Sequence, residues 1–146
     1  MPETLPGPAR ILGPAGLLPF GALVLLALLV PEWRAIGLSL LHAYGATIAA
    51  FLGAVHWGLA MRPAPGEEGA VWGRMGLGVT PALLAWVALM MPLRAGLVGL
   101  AAILLTTALV ETLAARHGLV PMAYMRLRWG LSLGASACLL LGATLA

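Results

Sequence analysis

Five apolar runs, at residues 11–30, 35–61, 75–91, 96–115 and 130–146, take up most of this 146-residue chain. Crossing a hydrocarbon core about 30 Å thick at 1.5 Å per residue takes roughly 20 helical residues. The first and fourth runs fit directly, and the second is long enough to tilt. The third and fifth reach the required length only with their flanks, which gives helices over about 11–30, 35–61, 71–91, 94–115 and 128–146. Backbone groups in hydrocarbon must bond within their own segment, so each run has to be helical. A soluble domain carries about 25% charged residues; this chain carries 9%, with 62% hydrophobic and a mean hydropathy of +1.02. The sequence therefore predicts a single-domain, all-α integral membrane protein, a bundle of five transmembrane helices.

Every basic residue is Arg and every acidic one Glu. Without a lysine amine there is no Schiff-base chemistry, which excludes a retinal linkage or pyridoxal enzymology. The arginines are scattered along the connections rather than gathered in a stripe, so the net charge of +3 does not point to nucleic acid. With five crossings, Arg10, Arg62, Arg74, Arg116, Arg126 and Arg128 fall on one side and Arg34 and Arg94 on the other. That bias places the amino terminus inside and the carboxyl terminus outside, in a bacterial inner membrane or its mitochondrial counterpart. Trp33 and Trp86 then belong to the outer interface, and Trp57, Trp72, Tyr124 and Trp129 to the inner one. The first run reads as a retained helix, being longer than a signal h-region and lacking a small-x-small site before Pro31. Residues 1–9, with three prolines, read as an irregular tail.

Small residues let helices approach closely in lipid. The second helix carries Gly45, Ala49 and Gly53 on one face, with a neighbouring ridge of Ala46, Ala50, Ala54 and Gly58. Tyr44, Ile48, Phe51, Leu52 and Val55 lie opposite, so this helix is expected at the centre of the bundle. Helix packing accounts for such a face, and a flat groove for an isoprenoid or porphyrin ring is the alternative. The last helix repeats the device with Gly130, Gly134, Cys138 and Gly142. In the third, Pro81 removes an amide donor and predicts a bend.

Ionisable groups inside a membrane are costly and call for a reason. His42 and His56 project from the second helix within about 40° of each other and about 21 Å apart along its axis. That spacing suits two stacked haems, although with His117 the only other histidine such a site would need a homodimer. Glu111 sits about as deep as His56, so it could accept a bond from His56, Arg74, Arg126 or Arg128 in a polar clamp, a proton-handling pair or a ligand-orienting pair. No HExxH, CxxC, P-loop or nucleophile elbow occurs, so no metal site or catalytic residue is implied.

The string Ala49-Ala50-Phe51-Leu52-Gly53-Ala54-Val55-His56-Trp57-Gly58 resembles a segment of the transmembrane-protein-69-like family of small multi-pass membrane proteins. Leu17-Leu18-Pro19-Phe20, Thr80-Pro81-Ala82-Leu83-Leu84-Ala85-Trp86 and Pro121-Met122-Ala123-Tyr124-Met125-Arg126-Leu127-Arg128 are similar too, in the same order. Ala50 departs from a Ser common in the family, and Met122-Ala123 from a Trp before the Tyr. The resemblance implies an inner membrane and points to His56, Trp57, Trp86, Tyr124, Arg126 and Arg128, without supplying a reaction.

Three functional expectations follow. The first is a non-enzymatic accessory or assembly protein of a larger membrane complex. The second is a binder of a quinone or haem on the face of His42, Gly45, Ala49, Gly53, Pro81 and Trp86. The third is a small homodimeric carrier. Arg62 and Arg74 join His56, Trp57, Glu111, Tyr124, Arg126 and Arg128 as candidates for the inner polar clamp.

Overall fold

The computed structural model describes residues 5–146. Six α-helices follow one another: α1 Gly7–Ala15, α2 Leu18–Leu29, α3 Arg34–Met61, α4 Val71–Leu89, α5 Leu93–Arg116 and α6 Met122–Leu145. Short 3-10 turns at Pro31–Trp33 and Glu68–Ala70 lead into α3 and α4. Among the described residues there is no strand.

Four stretches are long and apolar enough to cross a membrane: Gly7–Leu29, Pro31–Met61, Leu93–Arg116 and Met122–Leu145. The expected five become four by this measure because α4, though long enough at 19 residues, is less apolar: Arg74, Thr80, Pro81 and three glycines dilute its hydrophobic side chains.

The first run is two helices rather than one, and helical structure begins at Gly7, inside the expected irregular tail. Pro8 tolerates a first helical turn because the amide it lacks has no partner there anyway. Pro19 cannot donate back to Ala15, and the ladder breaks between Ala15 and Leu18. Tyr44 Oη donates to Gly16 O at 3.0 Å and satisfies a carbonyl at the break. Residues 1–4 of the expected tail lie outside the described residues. The last helix starts at Met122 rather than near residue 128, since Pro121 is well suited to precede a helix. Arg126 and Arg128 are thereby helical.

Counting α1 and α2 as one rod, five rods alternate in direction. Contacts of α3 with α4 pair His42 with Ala88, Gly53 with Gly78 and Trp57 with Met75, the constant register of an antiparallel pair along the whole of α4. Gly45 meets Leu100 and His56 meets Glu111, so α3 and α5 run parallel. Glu111 with Arg128 and Ala101 with Ser136 make α5 and α6 antiparallel.

Helix α3 touches α2, α4, α5 and α6, the central place expected of it. Gly45 is covered by Leu139 and Leu100, and Gly53 lies against the Gly78 backbone, so this face is an interhelical contact rather than an open groove. The second ridge behaves differently: Ala46 is buried, but Ala54 and Gly58 are exposed. Steps of four residues advance 400°, so such a ridge drifts about 40° per step and has turned outward by Gly58. The same geometry carries Leu52, from the bulky side opposite the small-residue face, into the core. That core gathers Phe20, Leu38, Leu41, Leu97, Leu100, Leu104 and Leu139. In lipid its contribution is close-packed dispersion contact, because hydrocarbon outside is as apolar as hydrocarbon inside.

Candidate functional site

At the end of the bundle that holds the 62–70 and 117–121 connections, three helices bring one ionisable side chain each into the interior. Glu111 of α5 is completely buried, His56 of α3 is 2% exposed and Arg128 of α6 is 1% exposed. His56 Nε2 lies 2.8 Å from Glu111 Oε1, and Arg128 Nε donates to Glu111 Oε2 at 2.6 Å. Arg128 also donates to Ser132 Oγ, one turn along its own helix. A residue further, Trp129 Nε1 donates to Thr112 Oγ1 at 2.9 Å and ties α5 to α6 a second time.

The chemistry of the cluster follows from the arginine. A guanidinium stays charged at any accessible pH and pairs with the ionised carboxylate. An ionised Glu111 only accepts, so the hydrogen in the His56 contact sits on Nε2. In the neutral ring the lone pair is then on Nδ1. Buried charges are tolerated when paired and hydrogen-bonded, and Glu111 has both oxygens so engaged.

Of the four donors expected for Glu111, His56 and Arg128 are the two the fold brings to it. Arg126 is exposed on the other side of α6, because two residues along a helix turn through about 200°. Arg74 is 5% exposed but reaches a different partner: its Nη2 donates to Leu119 O at 2.9 Å. That carbonyl is presented by a turn at Gly118, whose φ of +75° a side chain would resist, with Leu119 N–H returning to Ala114 O. Arg74 Nη1 also lies 2.9 Å from Glu67 Oε2, an ion pair whose N–H direction misses the oxygen, and Nε has no partner. The Arg74 guanidinium beside Glu67 holds that carboxyl below the usual carboxylate range.

The other expected residues are spread along the bundle. Arg62 is exposed, as is Trp86. Trp57 is 42% exposed, with Nε1 donating to Met75 O at 3.3 Å and the ring lying on Gly78. Tyr124 packs against Ala115, Val120 and Met125, and its buried hydroxyl has no partner among the described residues. His42 is at the opposite end, with Nε2 at 3.1 Å from Ala88 O and against Gly96. Pro81 is buried near Gly53, with Ala49 and Gly45 further along the same α3 face.

Two parts of the site escaped the sequence reading. Ser132 stands four residues after Arg128 and was legible from that spacing. The Leu119 carbonyl carries no side-chain signal and depends on the turn at Gly118.

A cavity of about 270 Å³ adjoins the cluster, lined by His56, Gly73, Arg74, Leu77, Val110 and Leu119 among others. A second, apolar cavity of about 100 Å³ lies among α1, α2, α3, α5 and α6, with Phe20, Phe51 and Leu104 in its wall.

Among curated proteins, the chain is similar to Transmembrane protein 69 of Xenopus tropicalis, 40% identical over 85 residues. The aligned part covers 58% of this chain and 33% of that relative, so the chain matches about a third of its length. No solved structure matches significantly. The model of a protein family of unknown function, DUF3429, matches residues 5–144. With nearly every residue inside that match, and with the resemblance read from the sequence pointing the same way, the chain belongs to the DUF3429 family.

Proposed function

We propose that this protein crosses a bacterial-type inner membrane five times and works there, without catalysis, as an accessory or assembly protein of a larger membrane complex. The fifth crossing is α4. Its 19 residues extend about 28 Å, and its antiparallel register with α3 keeps it at the same depth along its whole length. The arginine bias supports an inside amino terminus, with the Glu111 cluster toward that side.

The occupancy of Glu111 carries the non-catalytic reading. Both oxygens are held by fixed partners on two other helices, which ties this buried carboxylate into the packing of the bundle. Such a group cross-links a scaffold. The scaffold in turn presents Ala43, Thr47, Ala54 and Gly58 outward along α3, small residues between the exposed Ile36, Leu40 and Phe51, and a helix of a partner can pack on this face.

Native purification in mild detergent tests the reading. The expected result is a stoichiometric complex with wild-type protein that Ala54→Leu abolishes, while the melting temperature of the isolated bundle is unchanged. A wild-type protein that always runs as a lone monomer would refute it.

A further inference from the structure

The cavity beside His56 holds polar groups that the scaffold itself leaves unused. Arg74 lines it, is 95% buried on the complement of its 5% exposure, and has an Nε with no hydrogen-bond partner. His56 lines it from the other helix, with its Nε2 hydrogen committed to Glu111. An orphaned buried donor is costly, and a bound oxygen would relieve it. The rest of the wall is apolar or small: Leu77, Val110, Leu119 and Gly73.

Charge selects among the oxygens that would fit. Arg74 is paired with Glu67 and Arg128 with Glu111, so both guanidinium charges of the region are already compensated. An anion would enter a poorly hydrated site with no uncompensated cation to meet it, which is costly. A neutral hydroxyl has the matching pattern, because it can accept from the unpartnered Arg74 Nε and donate to the imidazole of His56 across the cavity. In the five-crossing arrangement proposed above, on which this step rests, the way in runs past α4 and α5: Gly73 and Val110 line the cavity and are also exposed on the outside of the bundle. We infer that this cavity is a binding site for a neutral, hydroxyl-bearing head group of a lipid-soluble molecule, of the quinol or the acylglycerol class. The inference is independent of whether the protein serves a complex.

Gly73 supplies a variant that tests this without disturbing the fold. A Cβ placed there meets nothing within 4 Å, so Gly73→Leu fills the mouth of the cavity while leaving the helix pairing intact. Purified protein in detergent is titrated with three probes: a short-tail benzoquinol under argon, monodecanoylglycerol and inorganic phosphate, followed by tryptophan fluorescence and equilibrium dialysis. Saturable binding of the quinol or the glycerol ester, at least tenfold weaker in Gly73→Leu with an unchanged helical spectrum and melting temperature, is the expected result, and the probe that binds names the class. Arg74→Met should weaken the same probe. Absence of saturable binding by both neutral probes, equal binding to Gly73→Leu, or tighter binding of phosphate than of either neutral probe would each overturn the inference.

Discussion

Glu111 shows how one residue decides whether this interior is tolerable. Its carboxylate joins α3, α5 and α6 through His56 and Arg128, in a place where water cannot stand in for a missing partner. Removing one member of a buried ion pair leaves the other uncompensated, which costs about 3–5 kcal/mol. Glu111→Gln is accordingly expected to destabilise the bundle by about 3 kcal/mol or more in denaturant unfolding followed by circular dichroism. Adding Arg128→Met should return part of the loss, since the stranded charge is then gone; a double variant no better than the single one would show the cost lies elsewhere. Glu67 makes a second prediction at this scale. Its folded pKa is lowered from 4.5 by Arg74, so its contribution is full above 4.5 and disappears as pH falls through the lower folded value. Acidification below pH 4.5 should therefore loosen the 62–70 connection, read as a change in Trp72 emission that Glu67→Gln abolishes. Glu68, whose carboxylate accepts from Gly66 N, remains in that variant as the local control.

Among the elements, the α3–α4 pair is set by how near two backbones can come. A Cβ on Gly53 would collide with the Gly78 carbonyl, and one on Gly96 with His42 and the Ala88 carbonyl. Backbone cannot swing aside as a side chain does, so Gly53→Ala should cost about 2 kcal/mol. Gly58→Ala lies on the same helix with open space around it, and should be neutral or stabilising by up to about 1 kcal/mol. Thermal unfolding in detergent separates the two, and equal effects would mean that the close approach of α3 and α4 is absent in solution. The importance of Gly53 was legible in the four-residue spacing of small side chains. Its partner was not, because Gly78 becomes meaningful only once α4 is docked in register.

For the molecule as a whole, the alternation of five rods puts both longer connections at one end with the polar cluster, and the tight turns at Pro31–Trp33 and Met90–Pro92 at the other. Single cysteines in a Cys138→Ser background give the expected topology a direct reading. Cysteines at positions 66 and 118 should be labelled only from the inside, and one at position 146 only from the outside. Labelling of 66 and 118 from opposite faces would reduce the crossings and remove α4 from the membrane. What the chain determined by itself was its all-helical class: apolar runs of this length with 9% charged residues point to helices long enough to cross a membrane. It also limited the partners of Glu111 to a few residues at matching depth. The tertiary structure decided which of those were used, because the rotation of each helix about its axis turns Arg128 inward and Arg126 outward two residues away. That rotation is fixed by packing against all neighbours together, a property no single segment carries in its own sequence.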